Sequence, residues 1–575
     1  MRGKGITTLV MLLWSWALAA QSQEEIDRML RLKGYETEEE LTSHEAEVLQ
    51  EYLDRPVRIN TTRSGTLRSC GLFTAYQAAS LADYRMRHGD IMSLLELSSV
   101  DGFTADRVAA LAPFISLEGG SPAYGGASAG RGFCDIAIKG GIREGGGNYG
   151  LKCKGGTSGG LTYGIGFSRS YSAKHIRPES ITGNLGWEGS GIPLRLILGD
   201  FNLRFGQGLC LWNGMSMGGL SKASSFYRSG TGLSSSWSFT GSNAFTGIAG
   251  EYEISHLRLT SAVILPGIKS LRKKAVSVMP AINLGWFGRN MSVSATHYLE
   301  LAGSPVRIPD MKTSADIAAC IRGIDLFSEI AFDWAAISLA ALGGCTFPAG
   351  ENTRMAVHMR YYPAGFNPTY SGAPRSTGKC SNEIGATYCI ETGQSYGTYS
   401  GCLSIDAAYF PETKGEVLNS SQIRMSTEWN IRFSEGLLLK LRLSERYRTW
   451  EERQFKTDFR ADFSWTGERW SISSRLNVVN FVRTGFLGYM EGGYRREIFS
   501  TYLKLGIYLI ENWDDRIYSY ERNGPGNFSV PAFHGKGAWA TLYTSWKFSR
   551  WGKLYCIETV KPGKAELKLQ LMLSF

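Results

Sequence analysis

The stretch that most constrains this chain is its last eleven residues, Ala565 to Phe575, which read A-E-L-K-L-Q-L-M-L-S-F. One parity is wholly apolar: Ala565, Leu567, Leu569, Leu571, Leu573 and Phe575. The other carries Glu566, Lys568, Gln570, Met572 and Ser574. Alternate side chains of a strand face opposite ways, so this strand has one oily face and one largely wet face. After residue 21 no run approaches the ~18 uninterrupted apolar residues of a spanning helix. The best, Ala335 to Gly344, is far shorter. A chain that crosses lipid without spanning helices must close its strands into a barrel, because lipid satisfies no backbone polar group.

Further segments repeat the alternation. Phe455, Thr457, Phe459, Ala461, Phe463 and Trp465 lie opposite Lys456, Asp458, Arg460, Asp462 and Ser464. Leu437, Leu439, Leu441 and Leu443 lie opposite Leu438, Lys440 and Arg442. Other strands are expected near Phe133, Leu161, Leu194, Phe245, Leu257, Ala281, Met291, Met355, Ile423, Ser471, Ile498 and Trp539. Gly accounts for 69 of 575 residues, above the usual ~7%, and aromatics for 12%, which suits many strands and turns. At roughly 9–11 residues per strand, residues 132–575 predict an all-β transmembrane β-barrel of roughly 20–26 antiparallel strands. The lumen of such a barrel is wider than wall side chains can fill. It is therefore a channel, or something plugs it. The polar stretches Gly214–Asn243, Tyr362–Asn382 and Asn512–Gly535 are the expected outer loops or inserts.

The front of the chain differs. Arg2 and Lys4, the apolar run Ile6–Leu18 and the small-residue pattern Ala17-Leu18-Ala19 predict a signal peptide over 1–20. Residues 21–55 hold 11 acids and 4 bases and predict an acidic helical segment. Residues 56–118 are neutral, and the Gly-rich stretch 119–131 is the expected linker to the barrel. The remainder, Gly119 to Phe575, carries about +15 of the chain's net +10, offsetting the acidic front.

Within 56–118 the order Ile59-Asn60-Thr61, Asp83-Tyr84-Arg85, His88-Gly89, Leu94 to Leu97, Val100-Asp101-Gly102-Phe103 and Pro113-Phe114-Ile115 resembles the helix-hairpin-helix module of competence-type DNA-uptake proteins. The resemblance implies a small all-α domain with hairpins at Gly71-Leu72-Phe73 and Gly102-Phe103-Thr104. Family hairpins meet phosphate through backbone N–H groups at paired glycines. Each hairpin here has one glycine, and the module lacks the surplus of cations that DNA affinity needs. The expected partner is another envelope protein, with DNA disfavoured. Together with the barrel stretches Gly199–Gly214, Arg360–Pro363, Trp513–Glu521 and Pro531–Gly537, this front resembles a family of bacterial outer-membrane barrel proteins with an N-terminal helix-hairpin-helix domain. The resemblance implies architecture and an outer-membrane location with the N-terminal domain in the periplasm. It implies no activity.

Gly199–Gly214, G-D-F-N-L-R-F-G-Q-G-L-C-L-W-N-G, sets three glycines among polar residues. Glycines inside a strand mark bends or close backbone approach, so one reading is a bent strand pair that narrows the barrel. The other is a lumen site built from Asp200, Arg204, Gln207 and Trp212, with Arg516 as a further candidate. Gly214-Met215-Ser216-Met217-Gly218 matches G-x-S-x-G, but the hydrolase elbow needs an α/β context. Ser216 with His175 or His256 is thus a weak pairing, and no enzyme activity is expected. Gly155–Gly160 lacks the lysine of a phosphate loop. Glu511, Asp514, Asp515 and Glu521 lie among Arg516 and Arg522, as in a charge network. Seven scattered His and ten Cys show no metal-ligand spacing, so no metal or cofactor is expected. Cys380, Cys389 and Cys402 are close enough in sequence for a disulfide in an oxidising compartment. The expected function is transport or envelope assembly, with DNA uptake and a non-conducting scaffold as alternatives.

Overall fold

The computed structural model describes residues 132–575, apart from 158, 174, 190–191, 214–221, 229, 238, 240–243, 266–277, 289, 302–309, 351, 394–397, 415, 435, 497 and 528. Before that it describes most of 56–117 and, further upstream, only residues 28–30, 32, 48–49 and 52–53. The expected signal peptide, the linker 119–131, most of the acidic segment and Ser216 lie outside the described residues.

Twenty-four antiparallel staves close into one barrel. They are β1 (Phe133–Arg143), β2 (Gly146–Gly156), β3 (Leu161–Arg169), β4 (Ser180–Glu188), β5 (Leu194–Arg204), β6 (Phe245–Ile254), β7 (Leu257–Ile264) and β8 (Met279–Phe287). Next come β9 (Met291–Glu300), β10 (Asp310–Ile321), β11 (Ile324–Asp333), β12 (Ser338–Gly350), β13 (Thr353–Tyr362), β14 (Glu383–Gly393), β15 (Tyr399–Phe410) and β16 (Ser420–Ser434). The last are β17 (Leu437–Arg448), β18 (Phe455–Thr466), β19 (Trp470–Asn480), β20 (Thr484–Arg496), β21 (Phe499–Ile510), β22 (Gly535–Ser549), β23 (Gly552–Lys561) and β24 (Lys564–Ser574). The closing strand read from the sequence seals the wall: β24 pairs β1 from Glu566↔Arg143 to Ser574↔Asp135. Phe575 and Cys134 then exchange backbone bonds of 2.9 and 3.1 Å.

Alternation sorts the side chains. On β18 the apolar parity faces out, with Phe455, Phe459, Phe463 and Trp465 exposed, while Arg460 on the other parity is buried in the lumen. Short turns join the staves at the end that holds Phe133 and Ser574, such as 322–323 and 550–551. The long connections 205–244, 363–382 and 511–534 leave and rejoin the wall at the other end. Exposed Trp187, Trp286, Trp429, Trp465, Trp470, Trp551 and Phe575 ring the short-turn end. Short periplasmic turns, long outer loops and an aromatic girdle are the anatomy of outer-membrane barrels, which fixes the orientation.

Residues 56–117 form helices α1 (Ala75–His88), α2 (Leu94–Leu97) and α3 (Ala105–Leu111). A parallel pairing of Val57–Arg58 with Ile115–Ser116 ties the ends of the segment together. Thr74 starts α1 in a reciprocal capping box with Gln77, and Thr104 caps α3. Ile59, Leu67, Leu72, Phe73, Leu81, Leu97, Phe103 and Phe114 share one apolar cluster with Met29 and Leu49.

Candidate functional site

The lumen is filled from the outer end by chain that leaves the wall and turns inward. The departure begins at Gly199 on β5, where φ is +101° and a Cβ would stand 2.2 Å from the Gly183 carbonyl. Below it, β5 pairs with β4 through Arg195–Gly199; above it, Phe201–Arg204 pair with the short inner strand Gly232–Ser235 instead, while the pairing with β6 runs on from Leu194 to Phe201. Asp200 pins the bend, accepting from Gly183 N at 3.1 Å and Thr246 Oγ1 at 2.5 Å.

Residues 205–244 form the first insert. Its hook is caught by one buried carboxylate, Glu329 of β11: Oε2 accepts from Gln207 N at 2.8 Å and Leu209 N at 2.9 Å, and Oε1 from Cys210 N at 3.3 Å. A carboxylate matched to three backbone donors can be buried without leaving them unsatisfied. The insert then runs across the lumen. Ala223 N donates to Glu391 of β14, and Lys222 pairs with Glu428 of β16 at 3.9 Å. Phe226 packs with Phe327, Ala356 and Cys389. On its return, Trp237 lies under Lys154, and Phe239 under Lys139 and Lys152 of β1 and β2.

Loop 363–382 caps this half. Ser376 N donates to both oxygens of Glu383, and Arg360 binds Glu383, Asp406, Thr387 and Ser376. Gly372 N bonds the Gly208 carbonyl at 2.9 Å, which joins loop to insert. The second insert, 511–534, is held in the same way. Asp515 accepts from Val482 N and Arg483 N at 2.9 and 2.8 Å. Further along, Arg522 pairs with Glu491 at 2.8 Å, and Asn527 bridges Gln570 and Lys139.

The five candidate lumen residues therefore separate. Gln207 holds the insert to itself through Arg228, with bonds of 2.8 and 3.1 Å. Arg204 donates to the Asn213 carbonyl, and Trp212 N donates to the Tyr370 carbonyl while Arg228 covers its ring at 5.4 Å. With Asp200 they form the bend and the hook. Arg516 belongs to the second insert and bonds Trp513 and Tyr518. The cavity beside Gln207 is about 40 Å³, the scale of a water molecule or two. Sequence reasoning missed Glu329 and read Asp515 as part of a charge network, whereas it takes backbone N–H groups; an acid in an alternating strand or a polar loop gives no signal of the backbone it will receive.

A second sector differs. Along β15–β19 the lumen face stays partly exposed and is rich in cations: Arg424, Arg432, Arg442, Arg446, Arg448 and Lys456, with Lys440, Arg460 and Arg475 buried. Register sets Asp406, Arg424, Arg446 and Lys456 side by side on neighbouring strands. Two rungs below, Arg442 faces Arg460. The acids here are shared, with Glu451 bridging Arg446 and Arg448 at 2.6 Å each. Asp462 likewise bridges Arg460 and Arg475 at 2.5 Å each.

The hairpin residues of the front segment lie in turns. Gly71 is exposed, whereas Leu72, Phe73 and Phe103 are buried, and the Phe73 and Phe103 rings meet at 6.0 Å. Gly102 needs its φ of +86°, and a Cβ there would touch the Tyr76 ring at 2.9 Å. Its carbonyl accepts from Gln77 at 2.7 Å, and Arg107 bonds the Leu72 carbonyl at 2.7 Å. At the barrel, Thr74 and Tyr76 line a small cleft with Phe287, Asn290, Met291 and Asp325 of the periplasmic rim and with Tyr227 of the first insert.

Other sequence-level sites resolve simply. His175 lies in an outer loop and His256 in a periplasmic turn, at opposite ends of the barrel. Among the described residues no group of His, Cys, Asp or Glu has metal-binding geometry. Cys389 and Cys402 face each other with sulfurs 3.4 Å apart and no disulfide between them, while Cys380 lies in the capping loop.

This is an outer-membrane β-barrel of a Gram-negative bacterium: a closed antiparallel wall, apolar outside and polar inside, with no spanning helix among the described residues. No protein-family model matches the sequence, and no curated protein matches it. Among solved structures it is similar to the copper transporter OprC (9% identity, 77% of this chain and 80% of that chain, TM-score 0.42). It is also similar to the FrpB iron transporter from Neisseria meningitidis (9%, 77% and 81%, TM-score 0.41). A third is the P pilus usher PapC translocation pore (12%, 77% and 99%, TM-score 0.37). Likeness at this level carries nothing about cargo.

Proposed function

We propose that this protein is a gated transport barrel whose resting lumen is occluded by its own outer loops. In this reading residues 56–118 form a periplasmic helix-hairpin-helix module that docks another envelope protein and gates the lower mouth. One observation carries it: the cleft in which Thr74 and Tyr76 of the α1 start meet both the rim and Tyr227, deep in the insert. A partner that shifted the module would thereby act on the insert. The contents of the hairpin turns support docking over duplex binding. The Gly102 carbonyl and the two Phe rings are engaged internally, and the segment is neutral, whereas duplex affinity grows with the phosphates a protein neutralises.

The test is conductance of the full-length protein in planar bilayers. The expected result is a quiet baseline and reversible steps when sub-denaturing urea is added on the periplasmic side. Tyr227→Ala should raise the baseline. A bilayer that stays silent under urea, with the barrel inserted and folded, would establish a non-conducting scaffold instead.

A further inference from the structure

The cation row at the outer third of β16–β18 is an electrostatic anomaly that the occluding inserts meet at one end only, where Lys456 donates to the Asp514 carbonyl at 2.7 Å. Arg424, Arg446 and Lys456 are direct cross-strand neighbours on the lumen face. Like charges directly opposite one another destabilise a sheet, so such a row persists where something offsets it. The acids nearby offset it only in part. Glu451 sits above, between Arg446 and Arg448. Asp406 already serves Arg360, Ser376 and Thr387. Asp458, one rung below, accepts from Asn477 at 3.0 Å. Arg446 Nε is buried and has no hydrogen-bond partner among the described residues. Two aromatic walls flank the row. Phe481 stands 5.3 Å from both Arg446 and Lys456, and Trp450 stands 5.2 Å from Arg448.

We propose that this row is the recognition site for a soluble polyanion, a solute bearing several phosphate, sulfate or carboxylate oxygens, taken from the outer face. Planar guanidinium forks match such oxygens two at a time, and Phe481 and Trp450 wall in the rest of the solute. The site opens to the lumen, not to lipid. The neighbouring row of the same strands, Ile423, Tyr447 and Phe455, has the opposite parity, and its Ile423 and Phe455 are exposed on the outer wall. Lipid headgroup phosphates are therefore on the wrong side. Deeper in the wall the pairing Arg442↔Arg460 and the Asp462-bridged Arg475 continue the cationic face towards the periplasm. The site rests on the reading of the barrel as a conduit, for which it names the class of cargo.

Inorganic tripolyphosphate is the probe, titrated calorimetrically into the full-length, lipopolysaccharide-free protein in detergent. Binding is expected, and it should weaken as NaCl is raised. The double substitution Arg446→Gln with Lys456→Gln should weaken it about tenfold or more, because it removes two charge-assisted hydrogen-bond donors at once. Arg177→Gln, an exposed loop cation, should leave it unchanged. Absence of binding to the folded wild type, or equal binding by the double variant, overturns the proposal. A matched titration with spermidine checks sign, and tighter binding of that cation also overturns it. The bilayer experiment reads separately: conductance without tripolyphosphate binding removes the site and keeps the conduit. Binding without conductance removes the conduit and keeps an anion receptor.

Discussion

The two sides of this lumen are built from the same kind of stave and end up opposite in character. On β8–β14 the inward residues are sealed. Asn283, His358 and Glu383 are 0% exposed, and Glu329 and Thr296 are 1%. Towards the outer end of β16–β18 the inward charges keep more contact with water: Arg446 is 20% exposed, and Glu451 in the loop between β17 and β18 is 23%. The cause is what covers them. Where loops fold in, each wall charge receives a specific backbone or side-chain partner, as Glu329 receives three N–H groups. Where they only touch the wall, as Lys222 does at Glu428 and the Asp514 carbonyl at Lys456, charges pair mainly among themselves and leave cations in surplus. A wide barrel can thus be shut and still keep a polar, watered face along one side.

The largest test of this contrast is Glu329→Ala. It strips the acceptor from three buried N–H groups, each worth ~1–3 kcal/mol when left unsatisfied. The insert should come loose, with a combined cost of about 5 kcal/mol on the same basis. The reading is protease cleavage within 205–244 from the outer side, together with raised conductance. Glu329→Gln, which keeps one acceptor, should fall between. An insert as resistant as wild type in both variants would break the idea that this carboxylate is the latch.

Next in size is Arg360→Ala. Removing one partner of a buried ion pair costs ~3–5 kcal/mol, because the other charge stays buried. Here Glu383 would lose its buried counter-charge, and Asp406 would keep Ser376, Thr387 and the neighbouring Arg424. Faster hydrogen exchange confined to 363–382, with β16–β18 unaffected, is the expected pattern. Exchange rising equally on both sides would show that the two sectors are not independent.

The outer wall should respond alike on both sides. Phe459→Arg on β18 puts a charge on the lipid face, which costs ~2–4 kcal/mol near the bilayer centre. Ile330→Arg on the lipid face of the sealed sector should cost about as much, read as loss of urea resistance in lipid. A much smaller loss at one of them would mean that its side faces protein rather than lipid.

The wall was legible because strand alternation is local. Phe455–Trp465 announces both faces of β18, and the closing role of Ala565–Phe575 follows from its parity. The strand starts at Phe133, Leu161, Leu194, Phe245, Leu257 and Met291 fall where alternation places them. The lumen contents were not legible. Gly199–Asn213 shows its bend through its glycines, yet its anchor, Glu329, is more than a hundred residues away. Polar stretches such as Asn512–Gly535 read as outer loops, and they do start at the outer end. Nothing local says that Asp515 will reach across the rim to take Val482 N and Arg483 N. The cation row was hidden for a related reason. Arg424, Arg446 and Lys456 are ordinary wet-face residues in their own strands, and only register makes them neighbours.

The smallest effect expected separates lumen charge from rim charge. Arg483 and Glu511 pair at the outer rim, with side chains 68% and 54% exposed. Exposed pairs contribute ~0–1 kcal/mol, and salt screens them within about 10 Å. Glu511→Gln should therefore leave urea resistance, insert protection and tripolyphosphate binding within error of wild type. Glu451→Gln is its counterpart a short way into the mouth. It removes the carboxylate that Arg446 and Arg448 share, so it should raise the local positive field and tighten tripolyphosphate severalfold at low salt. If the two substitutions behaved alike, the partly exposed row would be a rim like any other, and water access alone would account for its charge.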